Sequence, residues 1–586
     1  MSQNGVLGSR DVLVHIFSTY YSTGWEYAHG PFETNYMRGL YPLAAVCSAW
    51  RSVAKEHFLL KHLALEVTKP PSRGRRAAYF RELFSNRHTE ELHDMGAFGH
   101  IQTQDSRFIF HTNAHMVSYE DNRVSTLFIY LGNNVTTNDL LTALEQIGFA
   151  KRQWPMVTAL HVVIDRMYVP GVANANAIRE PLYHKLNSIG VAIDWIFKMA
   201  PHIVAVKLGS RAQLPYPMQI PLQASIMDNL GQLRQLEMSS QFCSFTIPPL
   251  FPPLTVLSIC PVHHTLNFVL AKIDACCLKK LRLYQISPLH FFQSVGINSP
   301  STPMEFPELA FLDLQFTAIM ATNDASQEVP DDWYNRSGTE RLLRFPKLRT
   351  VSIHDYYYDI SGIVACFQHA PLHTLYFSTH PWVYLTAGIH RLTQLQRIWL
   401  TFEVRLNRSL PDDFFQPLLE MRTNTITELT FYSSKNIIQL PLTQIHLHNL
   451  RTLDLDLKLT FSQTIGFLNQ LPSLTNLRFI LDTVSVDRSP TLDLFQTDLA
   501  MSNRSLQHMV VVFNPMVTEL GNEPDSMAVL HNILVLAAHL PALGRLRTCF
   551  TVMYFKQQLK RAMAVRQFAY KARHLQYLKY ISRAEC

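Results

Sequence analysis

A short hydrophobic pattern recurs along most of this chain: apolar-x-x-Leu-x-x-Leu-x-apolar, where x is any residue. Its clearest copies are LGQLRQLEM at 230, FPPLTVLSI at 251, FPELAFLDL at 306, FPKLRTVSI at 345, LTQLQRIWL at 392, LHNLRTLDL at 447 and LPSLTNLRF at 471. Weaker copies extend the pattern back to residue 124 and forward to residue 546. The Leu-x-Leu part alternates with a period of two, so each copy predicts one short β-strand.

The second core position of each copy gives a point at which the copies can be aligned. From Leu236 onward these positions are 236, 257, 281, 312, 351, 375, 398, 429, 453, 477, 509 and 546. Several steps are 24 residues, and a leucine-rich repeat is typically about 20 to 29 residues long, so the pattern resembles that family. The longer steps predict inserted loops, and stretches such as 464–471 and 416–422 suit short return helices.

The resemblance covers roughly residues 120 to 550 and implies an α/β fold, an irregular leucine-rich-repeat solenoid with a curved parallel sheet and outer helices. The Asn or Cys that usually follows the strand is missing; Ile286, for example, stands at that place. The alternative is another α/β protein whose buried strands happen to share the Leu-x-x-Leu-x-Leu spacing.

The N-terminal residues have a different, helical pattern. DVLVHIF and LAAVCSAWRSVAKEHF each place apolar residues on one helical stripe. VCSAWRSVA, residues 46–54, resembles the V-C-x-x-W-R-x-x-A pattern of the F-box, and LKHLALEV resembles the strand that often follows one. Two departures are Leu7-Gly8 in place of Leu-Pro and a long insertion over residues 18–40. The alternative is a helical cap on the repeats, which a terminal repeat needs.

An F-box implies docking to a Skp-type adaptor in a cullin complex, a ubiquitin ligase in which the repeats select the substrate. The residues expected to bind that adaptor are Leu13, Ile16, Phe17, Leu43, Val46 and Trp50. The partners implied are the adaptor, the cullin complex and a protein substrate of unknown identity. The alternative is a scaffold outside any ligase, with the N-terminal helices as a cap.

These patterns divide the chain into four regions. The predicted boundaries are 1–60 for an F-box-like, all-α module, 61–220 for a connecting segment with early irregular repeats, 221–550 for the solenoid and 551–586 for a basic C-terminal helix. That last region carries eight Lys and Arg residues against one acid, Glu585. Its apolar residues suit a capping helix with a basic outer face.

Side chains between the core leucines point away from the core, and we expect them to form the substrate-binding face. The aromatic candidates, with one residue from an acidic insertion, are Tyr284, His354, Tyr376, Trp399, Tyr432 and Trp333. Aromatic rings flanked by charge are enriched at binding hot spots. The alternative is that these rings simply pack against one another across strands.

Composition excludes several functional classes. A net charge of +7, from 52 Lys and Arg against 45 Asp and Glu, gives no reason to expect nucleic-acid binding. No apolar stretch or signal pattern suggests membrane insertion or secretion, and eight cysteines without a C-x-x-C pair suit a reducing cytoplasmic or nuclear compartment. Phosphate-binding, zinc-protease and hydrolase motifs are absent, so we expect no enzyme activity, no cofactor and no metal.

Overall fold

The computed structural model describes part of the chain, and all that follows concerns that part. The described residues are 9–15, 48–57, 62–68, 99–102, 109–112, 124–131, 137–164, 191–210, 218–219, 229–238, 242–243, 252–259, 273–286, 291, 304–316, 343–354, 367–379, 392–402, 425–433, 447–459, 461–481, 503–513, 533, 536–537, 539–548 and 577–580.

The chain forms two compact units, and each is described by itself. Unit 1 consists of residues 1–286 and 293–295, and unit 2 of residues 287–292 and 296–586. The predicted boundaries at 60, 220 and 550 were drawn from pattern alone and stay predictions.

Unit 1 contains two described helices and eleven strands. The helices are α1 (Ser48–His57) and α2 (Thr137–Gln146), with 3₁₀ turns at Phe149–Lys151 and Leu230–Gln232 and further helical residues at 10–15 and 191–199. The strands are β1 (His62–Thr68), β2 (Gly99–Gln102), β3 (Ile109–Thr112), β4 (Thr126–Leu131), β5 (Ala159–Ile164), β6 (Ala205–Ser210), β7 (Met218–Gln219), β8 (Gln235–Met238), β9 (Phe242–Cys243), β10 (Val256–Ile259) and β11 (Lys280–Ile286).

Unit 2 contains the remaining described strands and one described helix. The strands are β12 (Met304–Glu305), β13 (Phe311–Phe316), β14 (Leu343–Arg344), β15 (Thr350–His354), β16 (Thr374–Thr379), β17 (Arg397–Phe402), β18 (Glu428–Ser433), β19 (Thr452–Leu459), β20 (Asn476–Leu481), β21 (His508–Phe513), β22 (Arg545–Thr548) and β23 (Tyr577–Tyr580). The helix is α3 (Phe461–Gln470).

Parallel pairing dominates both units. In unit 1, β1, β4, β5, β6, β8, β10 and β11 pair side by side in that order, all parallel, while β3 and then β2 add antiparallel strands beyond β1. In unit 2, β13 and β15 to β23 form a continuous parallel series in chain order. Short strands form separate parallel pairs, β7 with β9 and β12 with β14. Each unit is therefore a repeated, mainly parallel sheet of the solenoid-like α/β type.

The strands align in the register that the sequence pattern predicts. In unit 1, the residues Leu63, Leu127, Leu160, Val206, Leu236, Leu257 and Leu281 stand opposite one another in neighbouring strands. In unit 2, the same column holds Leu312, Val351, Leu375, Ile398, Leu429, Leu453, Leu477, Met509, Leu546 and Leu578. We call these residues the leucine column. All twelve predicted alignment positions fall in it and are buried, so this prediction is confirmed.

A tight turn precedes many of the strands and explains the first leucine of the pattern. The amide of Leu309 donates to the carbonyl of Phe306 at 3.3 Å, and Pro307 stands at the second position of this turn. Proline suits that position because its φ is already near the value the turn requires. The same bond links Leu543 to Leu540 at 3.0 Å. Each turn buries an apolar residue at both of its ends and then releases the chain into a strand.

Asn503 is a polar residue at one of these buried turn positions. Its Nδ2 donates to the carbonyl of Leu471 at 2.6 Å, and its Oδ1 accepts from the amides of Ser505 and Leu506 at 3.0 and 2.9 Å. The side chain is fully buried. Its amide therefore satisfies backbone groups of two neighbouring repeats, which an apolar residue at the same place cannot do.

The helices confirm one prediction and correct another. Helix α3 matches the return helix predicted at 464–471, whereas the one predicted at 416–422 lies outside the described residues. The basic C-terminal helix predicted over 551–586 is wrong at β23, which pairs in parallel with β22. Leu578 stands opposite Leu546 there, so pairing with the neighbouring strand prevails over the helical apolar spacing of this segment.

The segment between β4 and β5 shows how a repeat returns to the sheet. Helix α2 ends at Gln146, and Gly148, just before the 3₁₀ turn Phe149–Lys151, has a φ of 75°, the left-handed conformation that glycine adopts without strain. The indole of Trp154 then donates to the carbonyl of Phe149 at 3.0 Å.

Among the described helices, none is both long and apolar enough to cross a membrane.

Candidate binding surface

The residue that follows each member of the leucine column lies on the opposite face of the sheet, because alternate side chains of a strand point to opposite faces. We call this series the outer row. Among the residues whose side chains are described, it comprises in unit 1 Phe128, His161, Lys207, Glu237, Ser258 and Arg282. In unit 2 it comprises Asp313, Ser352, Tyr376, Trp399, Thr430, Asp454, Arg478, Val510 and Arg547.

An aromatic pair occupies adjacent strands of the outer row in unit 2. Tyr376 on β16 stands in register with Trp399 on β17, and their ring centroids lie 5.3 Å apart at an interplanar angle of 35°. Both side chains are half-buried. A Tyr-Trp pair offers a large, rigid apolar area with polar edges, and such residues often anchor a protein ligand.

Three polar side chains lie on the β13 side of this pair. Ser352 Oγ is 2.9 Å from Nε2 of His354, and the same ring nitrogen lies 3.7 Å from Oδ1 of Asp313. In a Ser-His-Asp hydrolase the serine and the carboxylate contact different nitrogens of the histidine ring. One nitrogen accepts the serine proton, and the carboxylate orients the ring through the other nitrogen. Here both approach Nε2, so the arrangement suits ligand hydrogen bonding rather than acyl transfer.

An ion pair lies on the other side of the aromatic pair. Arg478 Nη1 donates to Oδ1 of Asp454 at 2.7 Å across β19 and β20, and both side chains are about one-fifth exposed. Thr430 separates this ion pair from Trp399 in the row. The outer row of unit 2 therefore presents an aromatic centre bounded by hydrogen-bonding groups of defined geometry.

The outer row of unit 1 is built around one shared carboxylate. Glu237 Oε2 lies 3.9 Å from Lys207 Nζ and 3.8 Å from Arg282 Nη1, and less than a quarter of each side chain is exposed. Burial lowers the pKa of Lys207; Glu237 opposes that shift and Arg282 adds to it. Beside them, Ser258 Oγ donates to the carbonyl of Met238 and lies 3.2 Å from the Tyr284 hydroxyl.

The predicted substrate-binding residues are only partly brought together. His354, Tyr376 and Trp399 lie on neighbouring strands of unit 2. On β18, the backbone of Tyr432 stands in register with Thr401 of β17, but the Tyr432 side chain lies outside the described part. Tyr284 belongs to unit 1, so the structure does not join it to the others. Trp333 lies outside the described residues.

The predicted adaptor-binding residues are described at two positions. Leu13 is fully buried within the chain, whereas Trp50 on α1 is half-buried. Ile16, Phe17, Leu43 and Val46 lie outside the described residues. Adaptor binding at all six positions stays a prediction, with Trp50 as the described side chain that is partly accessible.

Two charged residues of the outer row were not predicted from the sequence. Lys207 follows Val206 of the weak copy IVAVKL, and Arg547 follows Leu546 of LPALGRL. Extending the alignment by one residue in these weak copies would have placed both in the outer row.

The described residues include no group of three or more His, Cys, Asp or Glu side chains that could hold a metal ion.

No protein-family model matches the sequence, and no curated protein matches it.

Proposed function

We propose that this chain is the substrate-recognition subunit of a cullin–RING (SCF-type) ubiquitin ligase. Its N-terminal helical module, read as an F-box, binds a Skp-type adaptor, and its repeats, read as leucine-rich repeats, bind a protein substrate. The observation that carries the proposal is the succession of α1 and β1. Helix α1 holds most of the F-box-like sequence. After four intervening residues the chain enters β1, which pairs with β4 and joins the leucine column.

The adaptor side of the proposal is supported by the partial exposure of Trp50 on α1. Trp50 and Val53 are three residues apart and therefore lie on the same side of the helix, where Val53 is buried and Trp50 is half-buried, whereas Ser52 is exposed. A tryptophan beside a buried position that keeps part of its surface accessible is suited to a helix-to-helix interface. Trp50 is therefore the described residue through which this contact is best tested.

The substrate side is supported by the outer row of unit 2. The Tyr376–Trp399 pair supplies apolar area, and the polar groups of Ser352 and His354 and the Asp454–Arg478 ion pair flank it. An apolar centre with a polar rim is the usual anatomy of a protein interface. No chemical step is assigned to these residues, and ubiquitin transfer would be carried out by another subunit.

Co-purification with a Skp-type adaptor tests the proposal. The full chain should bind the adaptor stoichiometrically, Trp50→Ala should weaken binding by about tenfold or more, and Ser52→Ala on the same helix should bind like the wild type. Circular dichroism of both variants should match that of the wild type. Failure of the wild-type chain to bind the adaptor would contradict the ligase role.

The second candidate is a protein-binding scaffold outside any ligase, in which the N-terminal helices only cap the repeats. The burial of Leu13 and Val53 favours it, because these side chains face the chain itself. In that case the wild-type chain should not bind the adaptor, and Trp50→Ala should only lower the stability of unit 1. Thermal unfolding of the Trp50 variant, measured beside the pull-down, separates the two candidates.

A further inference from the structure

The last strands of unit 2 carry positive charge on the face opposite the leucine column. Arg545 and Arg547 flank Leu546 on β22, and His508 precedes Met509 on β21 in register with Arg545. Both arginines are exposed and His508 is half-buried. Lys579 on β23 stands in register with Arg547. We call His508, Arg545 and Arg547 the basic strip.

No carboxylate among the described residues neutralises the two arginines. The acidic residue of the outer row on this side is Asp454, three strands from β22, and Arg478 already binds it at 2.7 Å. Neither Arg545 nor Arg547 forms an ion pair within the described part of the chain. Within the described part of the chain, their guanidinium groups are therefore exposed and carry no counter-charge.

The positive potential of the strip acts on His508. Burial, followed by the charges of Arg545 and Arg547, lowers the pKa of this imidazole. The described residues in register with His508 are Asn476 on β20 and Arg545 on β22, neither of which is acidic. The site thus disfavours a further positive charge, as expected for arginines without counter-charges nearby.

The spacing of the arginines suits an extended chain. Arg545 and Arg547 are separated by one residue of a strand, which places them about 7 Å apart. Alternate side chains of an extended peptide repeat at the same distance. Carboxylates at every second position of such a peptide can therefore meet both guanidinium groups, each through charge-assisted hydrogen bonds.

We propose that the basic strip binds an acidic, extended segment of a protein partner. The inference rests on the proposed function to the extent that the repeats bind a protein, and it adds the chemistry of that ligand. A protein segment is favoured over nucleic acid because the strip is short, whereas strong nucleic-acid binding needs many phosphate contacts, about 6 to 10 in well-studied cases. The small net charge of +7 over 586 residues supports the same choice.

The test is fluorescence anisotropy of a labelled peptide of about twelve alternating Glu and Ser residues, titrated with the full chain at about 50 mM salt. Arg545→Glu/Arg547→Glu removes the strip. Arg349→Glu/Arg451→Glu is the matched control, because these two arginines are also exposed in unit 2 and the net charge changes equally. The corresponding Lys-Ser peptide and a DNA duplex of similar charge serve as comparison ligands.

The expected result is saturable binding of the Glu-Ser peptide that weakens by about tenfold or more in the strip variant and is unchanged in the control. The strip variant should gain affinity for the Lys-Ser peptide. Absence of binding, equal loss in both variants, or tighter binding of the DNA duplex would overturn the proposal. The assay contains no adaptor, so its failure is distinguishable from failure of the ligase role.

Discussion

The interiors of the two units are built in the same way, whereas the opposite faces of their sheets differ. In both, the leucine column buries one residue of each strand, for example Leu257 in unit 1 and Leu375 in unit 2, each with no exposed surface. The outer rows are unlike. Unit 1 centres on the Glu237 carboxylate shared by two cations, whereas unit 2 centres on the Tyr376–Trp399 pair.

The difference shows which positions the fold constrains and which it leaves to function. Each position of the leucine column favours an apolar residue, because a buried polar group without a hydrogen-bond partner costs free energy. The outer row carries no such requirement. It can therefore vary from a half-buried charge cluster to an aromatic surface without changing the register of the strands.

The largest expected effect tests the buried leucine column in each unit. Leu257→Ala and Leu375→Ala should each destabilise the unit that contains them by about 2 to 5 kcal/mol, because both leave a cavity in a buried column. Gln396→Ala, at an exposed position, should have little effect. Urea unfolding followed by circular dichroism measures these changes. A clearly smaller effect in one unit would mean that the two interiors are not equivalent.

Asn503 tests a departure from the apolar interior of unit 2. Asn503→Ala should cost about 2 to 3 kcal/mol, because it leaves the carbonyl of Leu471 and the amides of Ser505 and Leu506 without their buried partner. Arg504→Ala, at the exposed neighbouring position, is the control. A loss below about 0.5 kcal/mol in the same urea assay would show that the backbone groups find other partners.

The charged parts of the two outer rows should respond unequally. Glu237→Gln should destabilise unit 1 by about 1 to 2 kcal/mol, since Lys207 and Arg282 lose a common counter-charge while partly buried. Asp454→Asn should cost about 1 kcal/mol or less in unit 2, because a single arginine is affected. Lys207→Met should be nearly neutral, since burial already lowers the pKa of that amine. Equal losses for Glu237→Gln and Asp454→Asn would remove this distinction.

The smallest expected effect is a pH dependence in the basic strip. The pKa of His508 is lower in the folded chain than its usual value near 6.5, so the unfolded chain binds a proton more readily. Stability should therefore fall as the pH drops from about 7 through the lowered folded pKa. His508→Gln should flatten this slope slightly. Urea midpoints of both proteins between about pH 5 and 7.5 provide the comparison, and parallel slopes would count against it.

Much of the sheet was predictable from the sequence because a single pattern specifies both a turn and a strand. The Leu-x-Leu alternation and the preceding turn recur with little variation, so the twelve alignment positions fall in the leucine column. The buried position of Asn503 was not predicted, because a polar residue in the sequence indicates an exposed position unless its backbone partners are known. Strand β23 was missed because its pairing with β22 is a long-range contact.

The candidate site was less predictable for a related reason. The sequence places residues within a row but does not show how rows divide between compact units, and Tyr284 was therefore grouped with side chains of unit 2. The Tyr376–Trp399 contact depends on strand order, which no local pattern contains. The shared carboxylate of Glu237 likewise appears only when β6, β8 and β11 are assembled.

Hydrogen–deuterium exchange of the full chain, alone and with a Skp-type adaptor bound to its cullin, tests the central claim most directly. We expect slower exchange in α1 on adaptor binding and no change in β16 and β17, which carry the Tyr376–Trp399 pair. Protection of those two strands, with α1 unchanged, would contradict the assignment of adaptor and substrate to separate surfaces.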